Sequence, residues 1–242
     1  MVTMKSESPL KLPLAYQQIL QGFCYHVLQD RAFAQFLHDL GYPVGKRNFK
    51  LFTFSRLTGQ YRIDKKHKQI VFEDSFSWQI SSIVPAFIQE FGRSLLTADS
   101  LHFHGQEVFV DEVRYEDIGE STSPARIRMI SPVTVHSTFE SASGKKTTQF
   151  YDPDDPAFSH LIHENLRKKY LAFYQREMEG DFGIESVNVH PRDKVVTRFK
   201  QFMITAWNGV YQLNGTPENI RFAQCVGIGS RNSQGFGMFE TL

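Results

Sequence analysis

The sequence predicts an α+β chain of two tandem ferredoxin-like units, each running β-α-β-β-α-β. Three observations carry this. Segments of alternating apolar residues and segments of 3.6-residue periodicity follow one another in the same order in each half. A polar, turn-rich stretch, EDIGESTSPA at 116–125, separates the halves. The 242 residues, 41% hydrophobic and 14% aromatic with 22 Phe, supply one large or two small packed cores. The expected units are 1–119 and 120–242. No residue-level repeat is visible, so the duplication rests on element order.

The first half opens on a short strand. LPLAYQQILQGFCYHVLQDRAFAQFLHDLGYP then reads as two helices joined near Asp30. Leu20, Phe23, Cys24, Val27 and Leu28 fall on one apolar stripe, and Phe33, Phe36, Leu37 and Leu40 on a second. NFKLFTFSRLTGQYRI and KQIVFEDSFSWQISS are aromatic and β-branched and read as strands. SIVPAFIQEFGRSLLT is a helix, and LHFHGQEVFVDEVRY alternates like a closing strand or hairpin. In the second half, IRMISPVTVHSTF is a strand or hairpin. A long helix follows over DPDDPAFSHLIHENLRKKYLAFYQREME, with Asp155 as N-cap and Pro156 at its first position. IESVNVHP and KVVTRFKQFMITAWNGVYQL are strands, PENIRFAQCVG is a short helix, and GMFETL is the last strand.

Composition narrows the function. The apolar runs are shorter than the roughly 20 residues of a membrane span, and MVTMKSESPL is no signal peptide, so a soluble, cytoplasmic chain without a membrane partner is expected. Two cysteines, Cys24 and Cys225, lack CxxC spacing and support neither a disulfide framework nor a zinc site. The formal net charge of +1 hides a strong asymmetry. Residues 46–68 hold eight cations (Lys46, Arg47, Lys50, Arg56, Arg62, Lys65, Lys66, Lys68) against Asp64, a run that fits either a phosphate-binding surface or the solvated side of a hairpin. A second basic group, Arg192, Lys194, Arg198 and Lys200, falls on a hairpin of the second half.

Near the C-terminus VGIGSRNSQGFGMFE places Gly227, Gly229, Gly235 and Gly237 around Ser230, Arg231, Asn232 and Ser233. The spacing is neither a P-loop nor a dinucleotide fingerprint, so no nucleotide cofactor is expected. Such a loop could present exposed amides to phosphate oxygens, or be an ordinary turn before an edge strand.

GIGSRNSQGFGMFE, taken with LPLAYQQILQGFCY, FLHDLGY and FKLFTFSRL, resembles the CRISPR-associated repeat-processing endoribonucleases of the RAMP superfamily over nearly the whole chain. The resemblance implies a metal-independent RNase of two ferredoxin-like folds, which cuts CRISPR precursor RNA within repeats. It also implies RNA contacts through Gly227, Gly229, Ser230, Arg231, Asn232, Ser233, Gly235 and Gly237, with Lys46, Arg47 and Arg56 beside the cut.

Archaeal members use a Tyr, a His and a Lys, which map onto Tyr25, His38 and Lys50. On helical wheels Tyr25 and His38 each lie well over a right angle from their helix's apolar stripe, and so are expected to face substrate rather than core. The implied chemistry is attack by the ribose 2′-OH. His38 would protonate the 5′ leaving oxygen, Tyr25 would orient or deprotonate the 2′-OH, and Lys50 would stabilise the phosphorane. His26, next to Tyr25, is the rival histidine. The pairs His102/His104 and His160/His163 lack a completing ligand, so no metal is expected. The partners implied are precursor and mature guide RNA, a CRISPR interference complex and a second copy in a homodimer. The alternative function is an RNA-holding subunit of that complex with weak catalysis.

Overall fold

The computed structural model describes residues 1–140, 144 and 146–242. Its first half contains strands β1 (Val2–Lys5) and β2 (Leu10–Pro13) and helices α1 (Gln17–His26) and α2 (Arg31–Gln35). Then come β3 (Tyr42–Val44), β4 (Arg47–Phe49), β5 (Phe52–Phe54), β6 (Thr58–Asp64), β7 (Gln69–Trp78) and β8 (Ile80–Ser82). Helix α3 (Pro85–Thr97), β9 (Leu101–Phe103) and β10 (Gln106–Val113) complete it. The second half runs β11 (Ala125–Met129), β12 (His136–Glu140), β13 (Lys146–Phe150), α4 (Pro156–Tyr174), β14 (Phe182–Asn188), β15 (Lys194–Phe199), β16 (Phe202–Trp207), β17 (Val210–Gly215), α5 (Pro217–Val226) and β18 (Phe239–Thr241).

Each half builds a ferredoxin-like antiparallel sheet. In the second, the order β14-β17-β11-β18 places the first strand between the third and fourth, as the β-α-β-β-α-β path requires. In the first, β10, β1 and β7 follow the same order and β6 closes the outer edge of β7, while β9 extends the sheet beyond β10. The opening strand is central: VTMK alternates, so Val2 and Met4 are buried while the backbone pairs with β7 and β10. A second short strand, β2, continues along β7 beside β1. Between the sheets, residues 114–124 carry no helix or strand.

Local chemistry explains the boundaries. Asp155 caps α4 by accepting from the Ala157 amide at 2.8 Å, with Pro156 at the first position. Thr216 caps α5 in the same way. The second helix departs from an ordinary α pattern: residues 36–40 widen into a π turn closed by Gly41 N–H donating to Phe36 O at 2.7 Å. The phase shift leaves Leu40 61% exposed rather than on the apolar stripe, while Leu37 of that stripe is buried together with Ala34. The strand expected across NFKLFTFSRLTGQYRI breaks twice, at Leu51, whose φ is +56°, between β4 and β5, and again at 55–57 before β6.

The glycine loop joins the halves, and its glycines are buried instead of presenting exposed amides. A methyl group on Gly235 would lie 2.5 Å from the Phe54 ring, and one on Gly227 2.9 Å from Thr53 Oγ1. Thr53 Oγ1 donates to Phe236 O at 3.2 Å, and Asn232 Nδ2 donates to Ile228 O and Phe236 O at 2.9 and 3.0 Å. Phe236 completes a small apolar cluster with Phe199, Ile204 and Ala206 of the β15–β16 hairpin. The remaining core is continuous from Met4 to Phe158 and Ile228, so the halves share one interior. Among the described residues no helix is long and apolar enough to cross a membrane.

Gly237 tests the joint. Its φ is +78°, and an added Cβ would lie 1.9 Å from Ile228 O. Gly237→Ala should lower unfolding free energy by about 2–5 kcal/mol. Gly45→Ala, at φ +56° with nothing within 4 Å of the new methyl, should lose no more than about 1–2 kcal/mol. Urea unfolding of the pair separates packing from backbone strain.

Candidate functional site

Tyr25 sits on the last turn of α1, His38 in the π turn and Lys50 at the break between β4 and β5. The fold brings the three together. The Tyr25 and His38 rings meet edge to face with centroids 5.3 Å apart, and Lys50 Nζ donates to His38 O at 2.8 Å. Gly41 makes this approach possible, because a Cβ there would lie 2.4 Å from Phe49 O and 3.0 Å from Lys50 Cδ.

The surroundings of the three differ. His38 is open to solvent, and its Nδ1 is bonded to Asp39 Oδ1 at 2.7 Å. That bond holds the Asp39 carboxyl below its usual range and leaves Nε2 for a substrate. Tyr25 is half-buried: the face of α1 turned away from the apolar stripe meets Phe52, with ring centroids 5.9 Å apart, and the hydroxyl meets Gln21 and Ser233. Burial raises the Tyr25 phenol well above its ordinary value, and the nearby Ser233 and Gln21 side chains only partly oppose it. Burial also lowers Lys50, against the pull of Asp39.

The remaining sequence candidates divide. Lys46 and Arg47 are exposed on the β3–β4 hairpin. Arg56 turns elsewhere, to the side of Tyr16, and its Nη2 is buried without a hydrogen-bond partner. In the glycine loop Gly227, Gly229, Asn232, Gly235 and Gly237 are buried, whereas Ser230, Arg231 and Ser233 keep partly exposed side chains. His26 is exposed on α1, with its carbonyl accepting from Arg31 Nη1 at 3.2 Å. Among the described residues no three His, Cys, Asp or Glu side chains converge as a metal site would require. A cleft lies elsewhere, against α4 and β14. It is lined by His160, Glu164, Asp181 and Glu185, whose carboxylates repel a phosphate backbone.

Two residues escaped sequence reasoning. Asp39 orients His38 from the next position, and only its adjacency could have signalled it. Lys169 is 3% exposed and reads in sequence as one cation of a helical KK pair. Its Nζ donates to the carbonyls of Gly227 and Gly229 at 2.8 and 3.1 Å, so α4 holds the loop that touches Tyr25.

Burial lowers Lys169 to about 7. The unfolded amine keeps its ordinary value near 10.5, so between these values the unfolded chain binds the extra proton and stability rises with pH. Below about 7 the full penalty of burying the cation applies. From about pH 6 to about pH 9 the wild type should gain about 2–3 kcal/mol of unfolding free energy relative to Lys169→Met, measured by urea titration at both pH values.

Comparisons with known proteins match the chain in sequence and in fold. The family model described as CRISPR associated protein Cas6, C-terminal, matches residues 115–241, and that of CRISPR-associated protein Cas6, N-terminal, matches residues 11–114. The CRISPR-associated endoribonuclease Cas6 1 of Methanocaldococcus jannaschii is 28% identical over 236 residues, covering 94% of this chain and 86% of that protein. The CRISPR-associated endoribonuclease Cas6 of Pyrococcus furiosus is 24% identical, covering 95% of this chain and 83% of that one. A solved structure described as CRISPR associated protein Cas6 superimposes with a TM-score of 0.79 at 25% identity, over 100% of this chain and 97% of that one.

Proposed function

The chain belongs to the CRISPR-associated Cas6 family, and on that premise we propose that it is an endoribonuclease that cuts CRISPR precursor RNA within repeats in the prokaryotic cytoplasm. The observation that carries the reading is the meeting of Tyr25, His38 and Lys50 at one place beside the glycine loop.

The reaction is 2′-OH attack on the adjacent phosphorus, giving a 2′,3′-cyclic phosphate and a 5′-hydroxyl without a metal ion. His38 Nε2 delivers the proton to the departing 5′-oxygen, while Asp39 holds Nδ1. Tyr25 orients the 2′-OH by hydrogen bonding. Its raised phenol keeps its proton at neutral pH, which removes it as the base, so the 2′-OH proton passes to solvent water as the bond to phosphorus forms. Lys50 directs one N–H to His38 O and has two left for the phosphoryl oxygens, where negative charge grows in the transition state. Arg47, Lys46 and the Ser230–Ser233 segment lie along the approach and grip flanking RNA backbone.

In EDTA, the protein should cut a CRISPR repeat RNA and leave uncut the same RNA with a single 2′-deoxy residue at the cut. His38→Ala should slow single-turnover cleavage at least about 100-fold, and Tyr25→Phe and Lys50→Ala each about 10- to 100-fold, with RNA affinity changed little. A His26→Ala variant that loses activity while His38→Ala keeps it would reverse the histidine assignment. A 3′-hydroxyl and 5′-phosphate at the cut would rule out the mechanism.

A further inference from the structure

Several unfavourable features coincide beside the glycine loop. Arg231 holds a left-handed backbone at φ +61°, which a non-glycine residue adopts at a cost. Its Nε is buried with no hydrogen-bond partner, as is Nδ1 of His136 at the start of β12. The two belong to segments bonded together, since Ser230 N–H donates to Thr134 O at 2.8 Å. Arg47, exposed on the β3–β4 hairpin, lies close enough that its charge, like that of Arg231, acts on the His136 imidazole. Among the described residues neither guanidinium forms an ion pair; Arg231 Nη1 donates only to the neutral Gln234 side chain, at 3.1 Å. Buried polar atoms are ordinarily satisfied and like charges ordinarily dispersed, so a cluster that breaks both rules is arranged for something that binds there.

We propose that Arg47, His136 and Arg231 form an anion site, separate from Tyr25, His38 and Lys50, that takes one backbone phosphate of the RNA. The proposal rests on the endoribonuclease reading for its ligand. Each residue contributes suitable chemistry: two guanidiniums with planar donor forks and an imidazole that can donate from Nδ1. The site also lies near the cut, because Ser233, two residues beyond Arg231, touches the Tyr25 hydroxyl.

Filling the site has a proton consequence. Without ligand His136 is held neutral, lowered to about 4 first by burial and then by Arg231 and Arg47. Those two guanidiniums are the charged groups facing it from the loop and from β4. On the paired strand β13 its neighbour is the Phe150 ring, centroids 5.5 Å apart, and among the described residues no carboxylate acts on it. A phosphate oxygen on Nδ1 offsets both guanidiniums and favours the imidazolium. His136 therefore takes up a proton as RNA binds, and affinity strengthens as pH falls toward the new value.

The test follows the His136 imidazole by NMR, assigned by its loss in His136→Gln, during titration from about pH 7.5 to about pH 4. It is run on the free protein, with inorganic phosphate, and with single-stranded repeat RNA carrying a 2′-deoxy residue at the cut. RNA should raise the His136 midpoint by about 2 to 2.5 units, phosphate should shift it in the same direction, and RNA affinity between about pH 7.5 and about pH 5.5 should rise about 3- to 10-fold more in wild type than in His136→Gln. Binding of the 2′-deoxy RNA with the His136 midpoint unmoved, alongside cleavage of the all-ribose RNA, overturns the anion site and leaves the endoribonuclease standing. RNA neither bound nor cut overturns both. The wild-type titration decides the matter even if His136→Gln folds poorly.

Discussion

The arrangement depends on one buried contact: the C-terminal glycine loop pressed between the halves and held by Lys169 from behind. Its glycines take backbone conformations and approach distances closed to other residues. Gly235 lies against Phe54 of the first half and Gly229 against Thr134 of the second. Polar groups at this depth require partners, and the loop supplies them internally through Asn232 and externally through Thr53 and Lys169. Lys169 is an unusual choice, because a buried ammonium without a carboxylate is expensive to desolvate. Two carbonyl acceptors suit a neutral amine, which has two N–H groups to give, and burial favours that form.

This contact makes the site a property of the whole chain. Tyr25, His38 and Lys50 all come from the first 50 residues, yet the Tyr25 hydroxyl lies beside Ser233, in a loop whose Gly229 and Met238 are held by Lys169 of α4 and by Ser131 of the second half. Local irregularities do the final positioning. The π turn sets His38 beside Asp39 and lets its carbonyl receive Lys50, while the left-handed Leu51 ends β4 so that Lys50 lies at a strand break. Irregular backbone of this kind concentrates where side-chain placement matters more than ladder regularity.

Regular features were legible in the sequence because they follow from periodicity and capping. The stripe from Leu20 to Leu28, the Asp155–Pro156 helix start and the alternation of the sheet strands each appear where the pattern puts them. What the pattern missed was phase and depth. A helical wheel assumes constant twist, so the π turn moved Leu40 out of the stripe. A wheel also treats the face opposite the stripe as solvent, whereas the far face of α1 meets the glycine loop, and Tyr25 is half-buried there. Glycine spacing likewise reads the same whether the loop is open to a ligand or packed on protein. Thr53 and Phe54, far away in sequence, decide between these.

Charge shows the same limit of local reading. A net charge of +1 gives no hint of affinity for RNA, and the run from Lys46 to Lys68 could have been a single solvated face. The fold divides it. Arg62 is neutralised by Glu73 at 2.7 Å, and Arg56 turns to Tyr16, while Arg47 is carried to the neighbourhood of Arg231 and His136. Among the described residues Arg47 and Arg231 form no ion pair, and the charges of both act on His136 beside the glycine loop. A phosphate chain passing from the β3–β4 hairpin to that loop would complete the balance that the protein alone leaves open.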